Sequence, residues 1–243
     1  YGAPEEVADI YRDTEVQVNR AMRTPPPAPR RSLAGRFFGV ATDARAWTGL
    51  FYMLLSLATG IVYFTTVVTG ISLSAGLAIM IIGIPVVILF IGIVRILSLV
   101  EGRIVEAMLG ERMPRRPVHP GQAKPWLQRI GDMFTDPRTW STMLYLALML
   151  PLGVAYFTLA VTGIATGTGL AIGGLAAMLD VLGLPVTGAG VHWDDYEFVA
   201  PWTGPVLLMI GTLIVFATLH LARGVAHLHG ALAKHLLVKS DPV

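Results

Sequence analysis

TDARAWTGLFYMLLSLATGIVYFTTVVTGISLSAGLAI, residues 42–79, returns as TDPRTWSTMLYLALMLPLGVAYFTLAVTGIATGTGLAI, residues 135–172, at a constant spacing of 93 and without a gap. Half of the positions are identical, more than two unrelated apolar segments share by chance, so the chain reads as an internal duplication. The identities are not only apolar. Asp43/Asp136, Arg45/Arg138, Trp47/Trp140, Tyr52/Tyr145, Gly60/Gly153, Tyr63/Tyr156 and Gly70/Gly163 all match.

Outward from this block the composition is that of an integral membrane protein. Hydrophobic residues make up 54% of the 243, charged residues 14%, and the mean hydropathy is +0.64, against about 25% charged in soluble domains. All 18 Lys and Arg fall outside two gaps, residues 46–94 and 139–222. A formal charge of +2 is small, and no broad basic face suggests nucleic acid as a partner. Cysteine is absent, which excludes a disulfide framework, a thiolate metal site and a thiol nucleophile.

In each copy the apolar run is long enough to cross about 30 Å of hydrocarbon as a helix. Crossings are expected over residues 47–69, 76–97, 140–162 and 202–221, with Thr69-Gly70 closing the first and Gly83-Ile84-Pro85 kinking the second. Asp43 and Asp136 suit helix N-caps. Arg45 and Arg138 are expected to reach lipid phosphate, with Trp47 and Trp140 in one aromatic belt and Tyr63 and Tyr156 in the other; these six are the candidate lipid-interface anchors. The hydroxyls of Thr65, Thr66, Thr69, Thr158 and Thr162 are expected to bond helix backbone or neighbouring helices rather than a ligand.

The remainder divides accordingly. Residues 1–23 carry apolar positions at helical spacing and read as a cytoplasmic amphipathic helix, followed by a Pro-rich linker, 24–32. Residues 33–110 form hairpin repeat 1, opening with an interfacial amphipathic helix. Residues 111–125 form a Pro- and Arg-rich linker, and 126–239 form hairpin repeat 2. The basic residues between the copies put that link, and both termini, in the cytoplasm. The two hairpins then enter from one side as parallel repeats, and GRIVEAMLGERM continues the second helix into the cytoplasm, closed by Gly110. Aligning Arg95 with Arg223 needs a spacing of 128, so repeat 2 holds an extracytoplasmic insertion, 173–203. Residues 168–184 read as an extracytoplasmic or re-entrant segment rather than a fifth crossing. The fold class expected is all-α integral membrane, with four transmembrane helices.

Site signals are sparse. Within the insertion Trp193, Asp194, Asp195, Tyr196 and Glu197 form an acidic, aromatic loop, the candidate recognition surface for a cation, a basic peptide or a partner. His220, His227, His229 and His235 lie at helical spacing without carboxylate companions in sequence and are expected on the surface of a cytoplasmic helix, not on a metal or haem. No nucleophile–base pair, phosphate loop or HExxH appears, so neither an enzyme, a cofactor nor a metal is expected.

DPRTW followed by LYLALMLPLGVAYFTLAVTG, a first copy ending GLAIMIIGIPVVILFIGIVRILSLVEGRIVEAMLG, and the Arg-rich link resemble the bacterial putative sensor domain family over about residues 33–239. APEEVADIY, residues 3–11, is similar to the end of a small helical signalling domain that often precedes such modules. The resemblance implies a non-enzymatic sensor or regulatory module of the bacterial inner membrane. Such modules are often found ahead of histidine kinases or beside transcriptional regulators, and membrane lipids and a signalling protein are the expected partners. The structural alternative is an accessory subunit of a larger respiratory, photosynthetic or transport complex.

Overall fold

The computed structural model describes residues 15, 32–77, 80, 83–110, 136–184 and 202–237. The expected N-terminal amphipathic helix (except residue 15), the Pro-rich linker, the link 111–135 and the recognition loop 193–197 lie outside the described residues. The chain divides into two units between Phe38 and Gly39. In the first, α1 (Leu33–Phe38) starts at Ser32, whose Oγ accepts from Gly35 N at 3.1 Å.

In the second unit a 3-10 turn (Gly39–Thr42) leads into α2 (Ala44–Leu77), α3 (Gly83–Leu109), α4 (Pro137–Val181) and α5 (Thr203–Leu237). All four are long and apolar enough to cross a membrane, and the described residues contain no strand. The described residues are all-α, with the four long apolar helices of a multi-pass membrane protein.

Both expected caps form: Asp43 Oδ1 accepts from Arg45 N at 3.0 Å and Asp136 Oδ1 from Arg138 N at 3.1 Å. The helices run further than the apolar counts suggested. Thr69-Gly70 does not end α2, because a lone glycine costs only about 1 kcal/mol in a helix and Gly70 is where the Phe90 ring packs. Gly83-Ile84-Pro85 is not a kink but the first turn of α3, where proline's missing N–H has no partner to lose. Residues 168–181 are neither re-entrant nor a fifth crossing: they continue α4, which runs unbroken through Pro151 for 45 residues. α3 ends at Gly110 in the left-handed conformation, φ 71°, and the turn after α4 holds Gly183 at φ 76°.

Glycines set the closest helix approaches. Gly60 lies against the backbone of Met149 and Leu150, while Gly153 lies against that of Ser56 and Leu57. Gly167 and Gly211 face each other's carbonyls across α4 and α5, as do Gly174 and Gly204. Small residues at such crossings let backbones meet where apolar burial gives no driving force against lipid.

The direction of the helices corrects one expectation. Ile71 and Ser74, near the end of α2, share a cavity wall with Thr139 and Trp140 at the start of α4. Met53, early in α2, packs with Ala160, far along α4. Thus α2 and α4 are antiparallel. α5 runs with α2: Arg223 pairs with Asp43 at 3.4 Å, and Leu237 O accepts from Arg138 at the start of α4. The two hairpins are therefore inverted rather than parallel. The helix ends at Ala44 and Leu237 point to opposite ends of the bundle. Within the bundle, α3 finishes toward the start of α2 and α4 starts beside the end of α2. In this cysteine-free chain, single cysteines at Ala107 and Pro137 should react with an impermeant maleimide from opposite faces of a sealed vesicle. Labelling of both from one face would restore the parallel arrangement.

Candidate functional site

At the centre of the bundle all four long helices contribute to one polar cluster. Glu101 on α3 and His229 on α5 are both fully buried, at 0% exposure. Tyr52 and Tyr63 come from α2, Tyr145 and Tyr156 from α4. The Tyr52 hydroxyl donates to Glu101 Oε1 at 2.8 Å, Tyr145 donates to the same oxygen at 3.1 Å, and Tyr63 donates to Oε2 at 3.0 Å. His229 Nε2 stands 2.6 Å from Tyr52 Oη and 2.9 Å from Tyr145 Oη, and Nδ1 stands 3.5 Å from Tyr156 Oη. Direct approach of Nε2 to Glu101 Oε1 is 3.9 Å, so the tyrosines bridge the pair.

Donor counting assigns the protons. Each tyrosine has one O–H, and those of Tyr52 and Tyr145 are used on Glu101. Their short contacts to His229 therefore require Nε2–H as the donor, shared between two phenol oxygens. Nδ1 then accepts from Tyr156 in a neutral ring, or donates to it in an imidazolium. Ring contacts hold the imidazole in place: its centroid lies 5.0 Å from Tyr52, 6.0 Å from Tyr145 and 5.7 Å, edge-on, from Tyr156. A carboxylate and an imidazole taken out of water cost several kcal/mol apiece unless so paired, which makes the cluster the most conditional part of the core.

Helix geometry explains why these side chains meet. Tyr52 and Tyr63 are eleven residues apart on α2, about 16 Å of rise, and both reach Glu101, which therefore sits midway between them along α2. The apolar shell includes Val94, Val105, Leu146, Met149 and Ala233.

Several expectations change here. His229 is not a surface histidine, although His227 and His235 are exposed and His220 is half-buried. Tyr63 is 3% exposed and bonded inward, and Tyr156 is half-buried against His229, so neither is a lipid anchor. Arg138 bonds the Leu237 carbonyl at 2.7 Å, serving the end of α5 rather than lipid phosphate. Trp47 and Trp140 are exposed at 51% and 57%, and Arg45 is exposed. Thr66 bonds back to Val62 O at 2.8 Å. The described part of GRIVEAMLGERM, residues 102–110, is not a free extension, because Glu101, the residue just before it, lies in the centre of the bundle and Val105 within it is fully buried. The missed signal was in the spacing. The step of 128 that aligns Gly83 with Gly211, Arg95 with Arg223 and Gly102 with Gly230 also aligns Glu101 with His229.

Among the described residues no group of three or more His, Asp or Glu is placed to hold a metal ion. Nothing in the cluster supplies an activated nucleophile open to a substrate. Its chemistry is proton placement within a closed hydrogen-bond network that ties α2, α3, α4 and α5 together.

No curated protein and no solved structure matches the chain. One family model, described as Putative sensor, matches residues 52–237. That span holds every residue of the polar cluster from Tyr52 to His229, and the chain belongs to the Putative sensor family.

Proposed function

We propose that the protein is a non-enzymatic sensor or regulatory module of a bacterial inner membrane, and that the Glu101–His229–tyrosine cluster is its bistable element. One observation carries this reading: a carboxylate and an imidazole, both wholly buried and 3.9 Å apart, are hydrogen-bonded to shared phenol hydroxyls contributed by both halves of the bundle. Networks of this kind are worth most when complete and become costly when one member changes. A small change in charge or position at the centre is thereby converted into a change in how the helices pack.

The halves are inverted repeats about a pseudo-twofold axis perpendicular to the helices. The reciprocal contacts of Gly60 and Gly153 support this, as does the exchange of Tyr52 for Tyr145, Tyr63 for Tyr156 and Glu101 for His229. Only the last exchange swaps unlike residues, and it supplies the acid and the base. The acidic loop holding Trp193, Asp194, Asp195, Tyr196 and Glu197 is the proposed recognition surface, and a membrane or cytoplasmic protein in contact with α3 and α5 is the proposed recipient.

Spin labels on single cysteines at Ala107 and Lys234, both exposed, report the α3–α5 distance. Glu101→Gln should shift or broaden the distance distribution, and deletion of residues 190–200 should alter the response to a candidate stimulus. A distribution indifferent to Glu101→Gln would remove the cluster from the relay.

A further inference from the structure

The two halves pack differently at one pair of equivalent places, and the difference leaves a cavity. Between the end of α2, the start of α3 and the start of α4 lies a space of about 130 Å³. Ile71, Val87, Phe90, Ile91 and Met143 line it, together with Ser74, Thr139 and Trp140, and it opens at the bundle surface beside the exposed Ile71 and Trp140. Its walls are almost wholly apolar. An engineered apolar cavity of roughly 150 Å³ stays dry and binds benzene, so the size suits one small ring.

The molecule carries its own control. By the spacings of 93 and 128, the counterparts of Ile71, Ser74, Val87, Ile91 and Met143 are Ile164, Gly167, Val215, Leu219 and Leu50. There the equivalent residues pack on one another. Leu50 and Leu219 are buried around Val40, which is 1% exposed, with Ile164 and Val215 packed on them. Gly167 in place of serine brings α4 against the α5 backbone, so that a Cβ would meet Val215 N and Gly211 O. Ser74 and Phe90 in the first half, instead of Gly167 and Thr218, prevent that approach.

Ser74 gives the cavity a preference. Ser56, Ser98 and Ser141 each donate to the carbonyl three residues earlier. Ser74 Oγ does not, and among the described residues it is the buried side-chain polar atom without a hydrogen-bond partner. A buried hydroxyl left unpaired favours any occupant that can pair with it.

We infer that this cavity is a binding site for a small, mainly apolar molecule of single-ring size carrying one hydroxyl or carbonyl that pairs with Ser74. The inference uses the repeat relation but not the sensory reading: the site would bind such a molecule whether or not the polar cluster relays a signal.

The test uses the full chain in nanodiscs, with 4-fluorobenzyl alcohol and 4-fluorotoluene followed by fluorine NMR. The alcohol should bind saturably in discs containing protein and only partition into empty discs. Ser74→Ala should weaken the alcohol by about five- to tenfold, the worth of one hydrogen bond, and leave the toluene nearly unchanged. Val87→Phe, which fills the space, should abolish saturable binding of both; if that variant misfolds, Ser74→Ala still decides. Simple partition equal to that of empty discs, or alcohol binding untouched by Ser74→Ala, overturns the inference. So does displacement of the alcohol by excess phospholipid in detergent, which would assign the space to an acyl chain. Spin-label distances that respond to Glu101→Gln in a protein that binds neither probe would leave the relay standing and the cavity refuted.

Discussion

Replacing His229 by Leu should destabilise the bundle by about 3 kcal/mol or more, because it leaves a buried carboxylate and two phenol oxygens without the imidazole that faces them. Leucine fills much of the imidazole's volume, so the loss is electrostatic rather than a cavity effect. It strands Glu101 at 0% exposure with no basic group beside it, and takes the Nε2–H donor from Tyr52 and Tyr145 at once. Tyr63→Phe deletes one hydrogen bond to Oε2 and should cost less, about 1.5–3 kcal/mol for a bond to a charged group. The decisive comparison is the multiple variant Glu101→Leu, His229→Leu, Tyr52→Phe, Tyr145→Phe, Tyr63→Phe, in which the half-buried Tyr156 is the one polar member of the cluster left. Apolar replacement of a whole buried pair is often neutral or stabilising, so this chain should be more stable than His229→Leu alone. Denaturation in mild detergent, followed by circular dichroism against added dodecyl sulfate, reads all three. If His229→Leu melts with the parent, the imidazole is not paired with Glu101 in the folded protein.

The same residues show what local pattern can and cannot convey. The crossings were legible because length and hydropathy are properties of a segment alone, and the caps at Asp43 and Asp136 were legible because an N-cap bonds within its own first turn. The Tyr63–Glu101 and Tyr145–His229 contacts join residues 38 and 84 positions apart, and nothing near Glu101 in sequence marks its inward face. Its neighbours Arg103 and Glu106 suggested water, yet Arg103 is exposed on the opposite side of a helix whose other face carries Glu101 and Val105 into the core. Repetition identified the four tyrosines, and the longer spacing of 128 could have paired Glu101 with His229. What repetition does not contain is the direction of the symmetry axis. Two equivalent hairpins can be related by an axis along or across the helices with the same residues matched, and only the packing of Gly60 on Met149 and of Ile71 near Trp140 distinguishes them.

That packing makes the second large effect a backbone one. Gly153→Val should separate α2 from α4 and destabilise the fold by about 3 kcal/mol or more, at or beyond the upper end of overpacking costs. A side chain at Gly153 meets the Ser56 carbonyl and Leu57 Cα, and one at Gly60 meets the Met149 carbonyl and Leu150 Cα. Backbone in a helix cannot turn aside as a flexible side chain can, so relief requires the helices to move apart. Gly60 and Gly153 lie between the tyrosines of their own helices in sequence, so the same movement would lengthen the bonds from Tyr52 and Tyr145 to Glu101 and His229. Gly60→Ala and Gly153→Ala should therefore each mimic part of the His229→Leu phenotype without touching a polar group. Gly92 has open space where its Cβ would stand, and Gly92→Ala should be neutral or stabilising by up to about 1 kcal/mol, through helix propensity alone. The contrast between Gly92→Ala and Gly153→Ala in the same dodecyl sulfate titration isolates the helix crossing from helix propensity. Equal effects at the two positions would mean that α2 and α4 do not cross at Gly60 and Gly153, and the inverted arrangement would lose its closest contact.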